Sequence, residues 1–514
     1  MTAPDSSDAN FGNRIPRRDL LKSAAAAGMF GGLLGGRPSA ARANVAPGTS
    51  LIWDENQKPG HGDWQLTYVR TAGARRSKLL EGYCSQRSVR PGESLDIMLS
   101  AEADTEAVID VYRMGYYGGA GARKITRLGP FPVTPQPDPA VGEHRVRECQ
   151  WKPTSTLTIP DDWVSGVYLG KLMCNSHRYQ SYIIFIVRDD RKADLLFQCS
   201  DNTWGAYNKW PDEYSLYDSD PPSHSLNGTT RISFDRPYSK YPQVVDQALS
   251  VGSGEFLCWE FPLAYWLEQH GYDVTYLSNV DLHTEPQGLS RGKMFLSVGH
   301  DEYWSLEMYN HLMQAVQDGL NVAFLSGNSV CFVAPLVPSS DGRPSRIFHR
   351  AGRYGGLLEA ESFMGPFDME GPNENLLIGA RTINPFNGSG DWIVSKADHW
   401  LFEGTGMKNG DGIPGLVGWE FHGDPAKIPG LEVVAEGTSI NGGDAKAHWT
   451  ATIYPGPKGN LVFNASTIYW SMGLSRPPGF APPFAHYGRP HGPDQRVQTI
   501  TANFLKKCGV NAVG

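Results

Sequence analysis

What the sequence lacks narrows the field first. Beyond its first 43 residues it has no long apolar run, so nothing there reads as a membrane span. Positive charge is not in excess. The net charge of −8 speaks against a nucleic-acid surface. The seven cysteines, at 84, 149, 174, 199, 258, 331 and 508, form no CxxC pair, and their odd number leaves at least one thiol unpaired. A complete disulfide framework is therefore not expected. There is no HExxH and no P-loop. The one GxGxxG match, Gly410 to Gly415, carries a proline, follows no strand and opens no helix. The one GxSxG match, Gly288 to Gly292, precedes an apolar run where a nucleophile turn would follow one. These absences argue against a zincin, a dinucleotide enzyme and a serine hydrolase built on a strand-to-helix turn. Cys258 and Cys331 lack the glycine flanks of a nucleophile and read as packed thiols.

What is present points to a large exported α/β protein. At 514 residues the chain has room for several domains, and 58 glycines with 37 prolines imply many turns and much β-structure. Residues 1–43 read as a twin-arginine signal peptide. Arg17-Arg18 precede Leu20-Leu21 and Lys22, a short Ala/Gly-rich run follows, and Ala41-Arg42-Ala43 is an A-x-A cleavage site. Export to the periplasm or beyond is expected, by a route that carries proteins already folded around a cofactor. No membrane association is expected after cleavage.

Residues 44–190 show short alternating strands punctuated by turns (Ser94–Ser100, Ala107–Arg113, Gly166–Leu172, Ser181–Val187), the pattern of an immunoglobulin-like β-sandwich. Within it, Arg113 to Gly119 is either a binding loop or a glycine turn with packed tyrosines. The charged stretch Arg188 to Lys192 reads as a linker. Residues 191–514 then alternate strand and helix, which means a parallel sheet. Ligand sites in such sheets lie at the carboxyl ends of the strands. The run from Lys293 to Gly299 is a buried strand that ends in His300-Asp301-Glu302-Tyr303-Trp304. Polar loops follow the other apolar runs: Asp201 to Asn208, Ser233 to Tyr238, and Ser326 to Asn328. Tyr354 to Leu401 reads as a lid or excursion, and Glu420 offers one more carboxylate.

A carboxylate, a histidine and several tyrosines gathered at one sheet edge are suited to a hard, highly charged ion such as ferric iron. The alternative is that the tyrosines are hydrogen-bonded core residues and that Glu302 pairs with an arginine. The motifs favour the first. Met114-Gly-Tyr-Tyr-Gly-Gly, Asn202-Thr-Trp-Gly-Ala-Tyr-Asn, Phe234-Asp-Arg-Pro-Tyr, Gly299-His-Asp-Glu-Tyr-Trp and Ser326-Gly-Asn resemble the large (beta) subunit of N,N-dimethylformamidase, over about residues 50–510.

The resemblance implies an immunoglobulin-like domain joined to an α/β domain like that of class I glutamine amidotransferases. It also implies a mononuclear Fe(3+) ion held by two tyrosines and one glutamate, and hydrolysis of a small N-substituted amide. Carried over, it makes Glu302, Tyr207 and Tyr238 the metal ligands. Glu420 becomes the general base, His300 either a support behind the ligands or an aid to proton transfer, and Asn328 the holder of substrate or water, with Phe463 or a neighbour lining an apolar wall. The family also has a further lectin-like domain, absent here, and a small partner subunit; a homo-oligomer is expected. Two other readings stay open: an exported hydrolase of a carbohydrate amide or ester, for which 14 tryptophans and 22 tyrosines suit sugar stacking, and a non-catalytic ligand-binding module.

Overall fold

The computed structural model describes residues 50–68, 76–174, 178–218, 228–239, 256–358, 367–383, 386, 388–480 and 491–513. The signal-peptide reading of residues 1–43 lies outside them. The fold is mixed α/β with many strands.

Toward the N-terminus, two β-sheets cover one apolar core. Glu81–Cys84, Ser94–Ser100 and Ser155–Thr158 form one, and both pairs are antiparallel. The other runs in the order Ser88–Val89, Tyr179–Val187, Gly166–Cys174, Thr105–Met114, Ala122–Val133. Its strands are antiparallel except where Ser88–Val89 runs parallel to Tyr179–Val187. Leu95, Ile97, Leu99, Ile109, Val111, Leu172 and Phe185 meet between the sheets. The opposite face of the larger sheet is apolar as well. Its Tyr112, Val167, Leu169 and Ile184 join the core of the α/β half, so this sheet is covered on both sides.

The α/β half is built on a nine-stranded sheet. Four parallel strands, Val274–Ser278, Leu195–Cys199, Met294–Gly299 and Asn321–Ser326, lie side by side in that order, followed by Leu461–Asn464, also parallel. Alternate residues face opposite ways, as the two-residue period of a strand requires. Met294, Leu296 and Val298 enter one core, and Phe295 enters the other with Leu196, Val322 and Phe324. Cover on both faces explains why these strands read as continuous apolar runs. Beyond Leu461–Asn464 the sheet turns antiparallel, through Lys446–Pro455, Glu432–Asn441, Gly388–Ile393 and Gly412–Val417. Gly388–Ile393 thus belongs to the main sheet, which corrects the reading of the whole Tyr354-to-Leu401 stretch as an excursion.

The helices follow their local signals. Ser278 caps Asn279–Thr284 in a capping box with Asp281, and Ser305 caps Leu306–Gln317 by accepting from the Met308 amide. A π-helical turn, Phe256–Glu260, leads into a second helical segment, Phe261–Gln269. Pro262 sits in the first turn of that second helix, where its missing amide costs nothing. Among the described residues, no helix is long and apolar enough to cross a membrane. All seven cysteines carry free thiols.

Candidate active site

The site lies at the carboxyl end of the central parallel strand. Gly299 ends that strand at φ +67°, and a Cβ there would come within 2.7 Å of the Trp259 Cβ and carbonyl oxygen. Only glycine fits, and the turn it makes drops His300 to Glu302 behind the sheet edge. The turn from Ser326 to Val330 lies beside it. Asn328 and Val330 both take positive φ, and the Ser329 amide donates to Nε2 of His422 at 3.1 Å. His422 in turn meets Asn464 Oδ1 through Nδ1 at 2.6 Å. Burial then holds the His422 pKa down at about 4. A neutral ring therefore ties the Asn328 turn to the strand Leu461–Asn464. A third turn arrives with Glu420. Gly327 lets it approach, since a Cβ there would meet the Glu420 carbonyl at 2.3 Å.

Glu302 is fully buried at the centre. Its carboxylate accepts from Tyr207 at 3.0 Å and from the Asn328 side-chain amide at 3.2 Å, and the Tyr217 oxygen lies 3.3 Å from it. Tyr217 donates to the Tyr207 oxygen at 2.6 Å, their rings stack at 4.6 Å, and Tyr303 meets the Tyr217 oxygen at 2.6 Å. Nε2 of His300 lies 3.2 Å from Glu302 Oε2 and 2.5 Å from Glu420 Oε2. Both residues are buried. The His300 ring contacts Tyr207 on one side and Trp419 on the other. Burial, and after it the charge of Glu302, pushes the phenols of Tyr207, Tyr217 and Tyr303 well above their ordinary pKa. Without a cation they are neutral donors, directed from Tyr303 through Tyr217 and Tyr207 to the carboxylate.

Of the six residues expected at the site, Tyr207, Glu302, His300, Asn328 and Glu420 are brought together. Tyr238 is not. Its ionisable neighbours are Asp201, Arg87, Arg236 and Arg346, and it lines a small cavity with Tyr83, Cys84 and Phe234. The second phenol on Glu302 is Tyr217, which carries no motif. Phe463 is a core residue, its ring against Trp470 and Phe504. Beside His300 stands Trp419, which packs on Trp259, and Trp259 stacks in turn on Tyr469.

Two overlapping donor sets could hold a cation. One is the oxygen set Tyr207, Tyr217 and Glu302. The other is His300, Glu302 and Glu420, whose ligand atoms lie within 4.8 Å of one another. Asn328 Oδ1 is buried and, among the described residues, has no hydrogen-bond partner, an acceptor beside Glu302. Such an atom fits a site that takes up water or a ligand donor. A family model described as N,N-dimethylformamidase beta subunit-like, C-terminal, matches residues 108–486. Comparison with curated proteins gives no match.

Proposed function

The chain belongs to the N,N-dimethylformamidase beta subunit-like family, and from that premise we propose that it is a ferric-iron-dependent hydrolase of small N-substituted amides. One observation carries the reading: two phenols, Tyr207 and Tyr217, converge on the fully buried Glu302 carboxylate. Buried phenols are neutral unless a cation offsets the cost of charging them, and hard oxygen donors of this kind suit a trivalent ion. We assign Tyr207, Tyr217 and Glu302 as its ligands. Bound there, a ferric ion supplies Lewis acidity to an amide carbonyl and makes a bound water more acidic.

The chain's own residues do the rest. Glu420 takes the proton of the attacking water, and His300, in contact with both Glu420 and Glu302, fixes that carboxylate and passes the proton toward the leaving nitrogen. The side-chain amide of Asn328 is committed to Glu302, so its free carbonyl oxygen orients the water. Water adds to the carbonyl carbon, the C–N bond breaks, and a carboxylic acid and an amine leave. Trp419, edge-on to His300, offers the apolar surface for an N-alkyl group.

The group His300, Glu302 and Glu420 supports a second reading, a divalent ion held without phenols. Colour separates the two, because only phenolate ligation to iron gives a visible charge-transfer band. Elemental analysis and a visible spectrum of protein from an iron-replete host test the proposal. We expect equimolar iron and a visible band, both lost in Glu302→Ala; a Glu302→Ala variant that keeps metal and colour refutes the assignment. Colourless, metal-free wild-type protein favours the non-catalytic module. Screening short amides against short glycans tests the substrate class.

In the same reading, residues 44–190 are an immunoglobulin-like domain and 191–514 a glutamine amidotransferase-like domain. The chain is exported by the twin-arginine route. A small partner subunit is tested by co-purification.

A further inference from the structure

Arg350 has no obvious reason to be where it is. It is 1% exposed, yet among the described residues it makes no ion pair with a carboxylate. Its Nη2 donates to the Leu216 carbonyl at 2.6 Å, while Nε and Nη1 are buried with no hydrogen-bond partner among the described residues. Its guanidinium lies over the Tyr217 ring at 4.7 Å from the centroid and near the Phe332 ring at 5.3 Å. The ionisable groups around it are Tyr303, Tyr217, Glu302 and Tyr207. A buried cation without a partner is costly, and a neutral ring compensates little of that cost. A phenolate ring compensates far more, because it brings a whole negative charge to the guanidinium.

Tyr303 completes the arrangement. Among the described residues its hydroxyl meets one polar group, the Tyr217 oxygen at 2.6 Å, and its ring stacks on Phe332. In the neutral cluster the phenol protons run from Tyr303 toward Glu302. Take the protons from Tyr217 and Tyr207, and Tyr303 is the one phenol left with a hydrogen to donate, directed at the Tyr217 oxygen.

We propose that Arg350 and Tyr303 are positioning residues that hold Tyr217 as a metal-binding phenolate, Arg350 as counter-charge over its ring and Tyr303 as hydrogen-bond donor to its oxygen. The inference rests on the ferric reading above. It goes beyond that reading by distinguishing the roles of two phenols whose oxygens are 2.6 Å apart: Tyr217 ligates and Tyr303 does not. Arg350 also explains how a tyrosine on a loop reaches the site, since it grips the carbonyl of the preceding residue and the ring itself.

The test compares wild type, Tyr303→Phe, Arg350→Gln and Arg350→Lys, all purified from iron-replete cultures, by iron content and visible spectrum. A phenolate that loses a donor or a nearby cation becomes a better electron donor, so its charge-transfer band moves to longer wavelength. We expect Tyr303→Phe and Arg350→Gln to keep equimolar iron with red-shifted bands, and Arg350→Lys to return toward wild type. If Tyr303→Phe loses its iron, Tyr303 is itself a ligand and the proposal is wrong. Unshifted bands at full iron occupancy overturn it equally while leaving the ferric site intact. Iron-free wild-type protein overturns both. Should Arg350→Gln fail to fold, Tyr303→Phe decides alone, because it removes one hydroxyl and keeps the packed ring.

Discussion

Tyr238 and Tyr217 differ in a way that a chemist reading the sequence would misjudge. Tyr238 ends the motif Phe234-Asp-Arg-Pro-Tyr, and its neighbours advertise chemistry. The structure uses that chemistry to hold a loop. Arg236 donates to the carbonyls of Trp210, Tyr214, Gly205 and Asn208, and Asp235 pairs with Arg343 and Arg346. Tyr217 sits in Ser215-Leu-Tyr-Asp with no glycine, no apolar run and no motif to mark it. The one available signal was proximity, since it follows Tyr207 by ten residues in the same loop. We predict that Tyr217→Phe lowers iron content on the order of tenfold or more, as loss of a ligand should exceed the effect of losing a group that merely supports one. Tyr238→Phe should retain iron and colour. Metal analysis of the two variants side by side checks this. The reverse pattern would reinstate Tyr238 as a ligand.

At the scale of elements, the parallel strands were legible because both of their faces are covered. A strand such as Met294–Gly299 then has no polar side to blur its boundaries, and its terminal glycine marks where the site begins. His300, Glu302, Asn328 and Tyr207 were legible for the same reason, since each follows such a strand directly or within one short helix. The antiparallel extension was harder to read. Nothing local tells Leu461–Asn464 that it has a parallel neighbour on one side and an antiparallel one on the other. The π-helical turn at Phe256–Glu260 leaves no mark in the sequence, because its apolar residues keep a nearly helical spacing. Gly299 and Gly327 give the sharpest test here. Gly299→Ala should cost about 1–3 kcal/mol in backbone strain, plus the displacement of Trp259, visible in thermal unfolding. Gly327→Ala presses on the Glu420 carbonyl, at 2.3 Å from a Cβ, and should reduce amide hydrolysis more than it reduces iron content. Equal losses of both would mean that Glu420 does not work separately from the ligand set.

For the molecule as a whole, the two halves are joined by a buried polar seam, and it is there that the Met114-to-Gly119 motif is used. Arg113 and Glu268 form an ion pair at 2.9 Å with both side chains fully buried. Tyr117 accepts from Arg113 and donates to Glu55, Asn56 donates to Glu268, and Tyr276 does so from the parallel sheet. Gly115 keeps the seam closed, since a Cβ would lie 2.3 Å from Glu268 Oε2. The motif is therefore a junction and not a binding loop. Removing one partner should leave the other charge stranded: Glu268→Ala is expected to cost about 3–5 kcal/mol, read as a fall in Tm. Glu55 gives the seam a pH dependence. Burial pushes its carboxyl up, but the charge of Arg113 and hydrogen bonds from Lys58, Arg123 and Tyr117 outweigh this and leave its pKa below the ordinary 4.5. A lowered folded pKa means stability that is complete above 4.5 and lost as the pH falls below it. The Tm deficit of Glu55→Gln relative to wild type should hold steady at neutral pH and shrink in acid. A deficit that grows on acidification would reverse the sign.

The architecture, the buried seam and the glycine turns all serve to bring three oxygen donors, two phenols from one loop and a carboxylate from another, to one point at the edge of the sheet. The most direct measurement is anomalous diffraction across the iron absorption edge, from crystals of wild-type protein produced with ample iron. The account predicts one strong iron peak bounded by the phenol oxygens of Tyr207 and Tyr217 and the carboxylate of Glu302. A peak seated instead among His300, Glu302 and Glu420, or no iron peak at all, would contradict it.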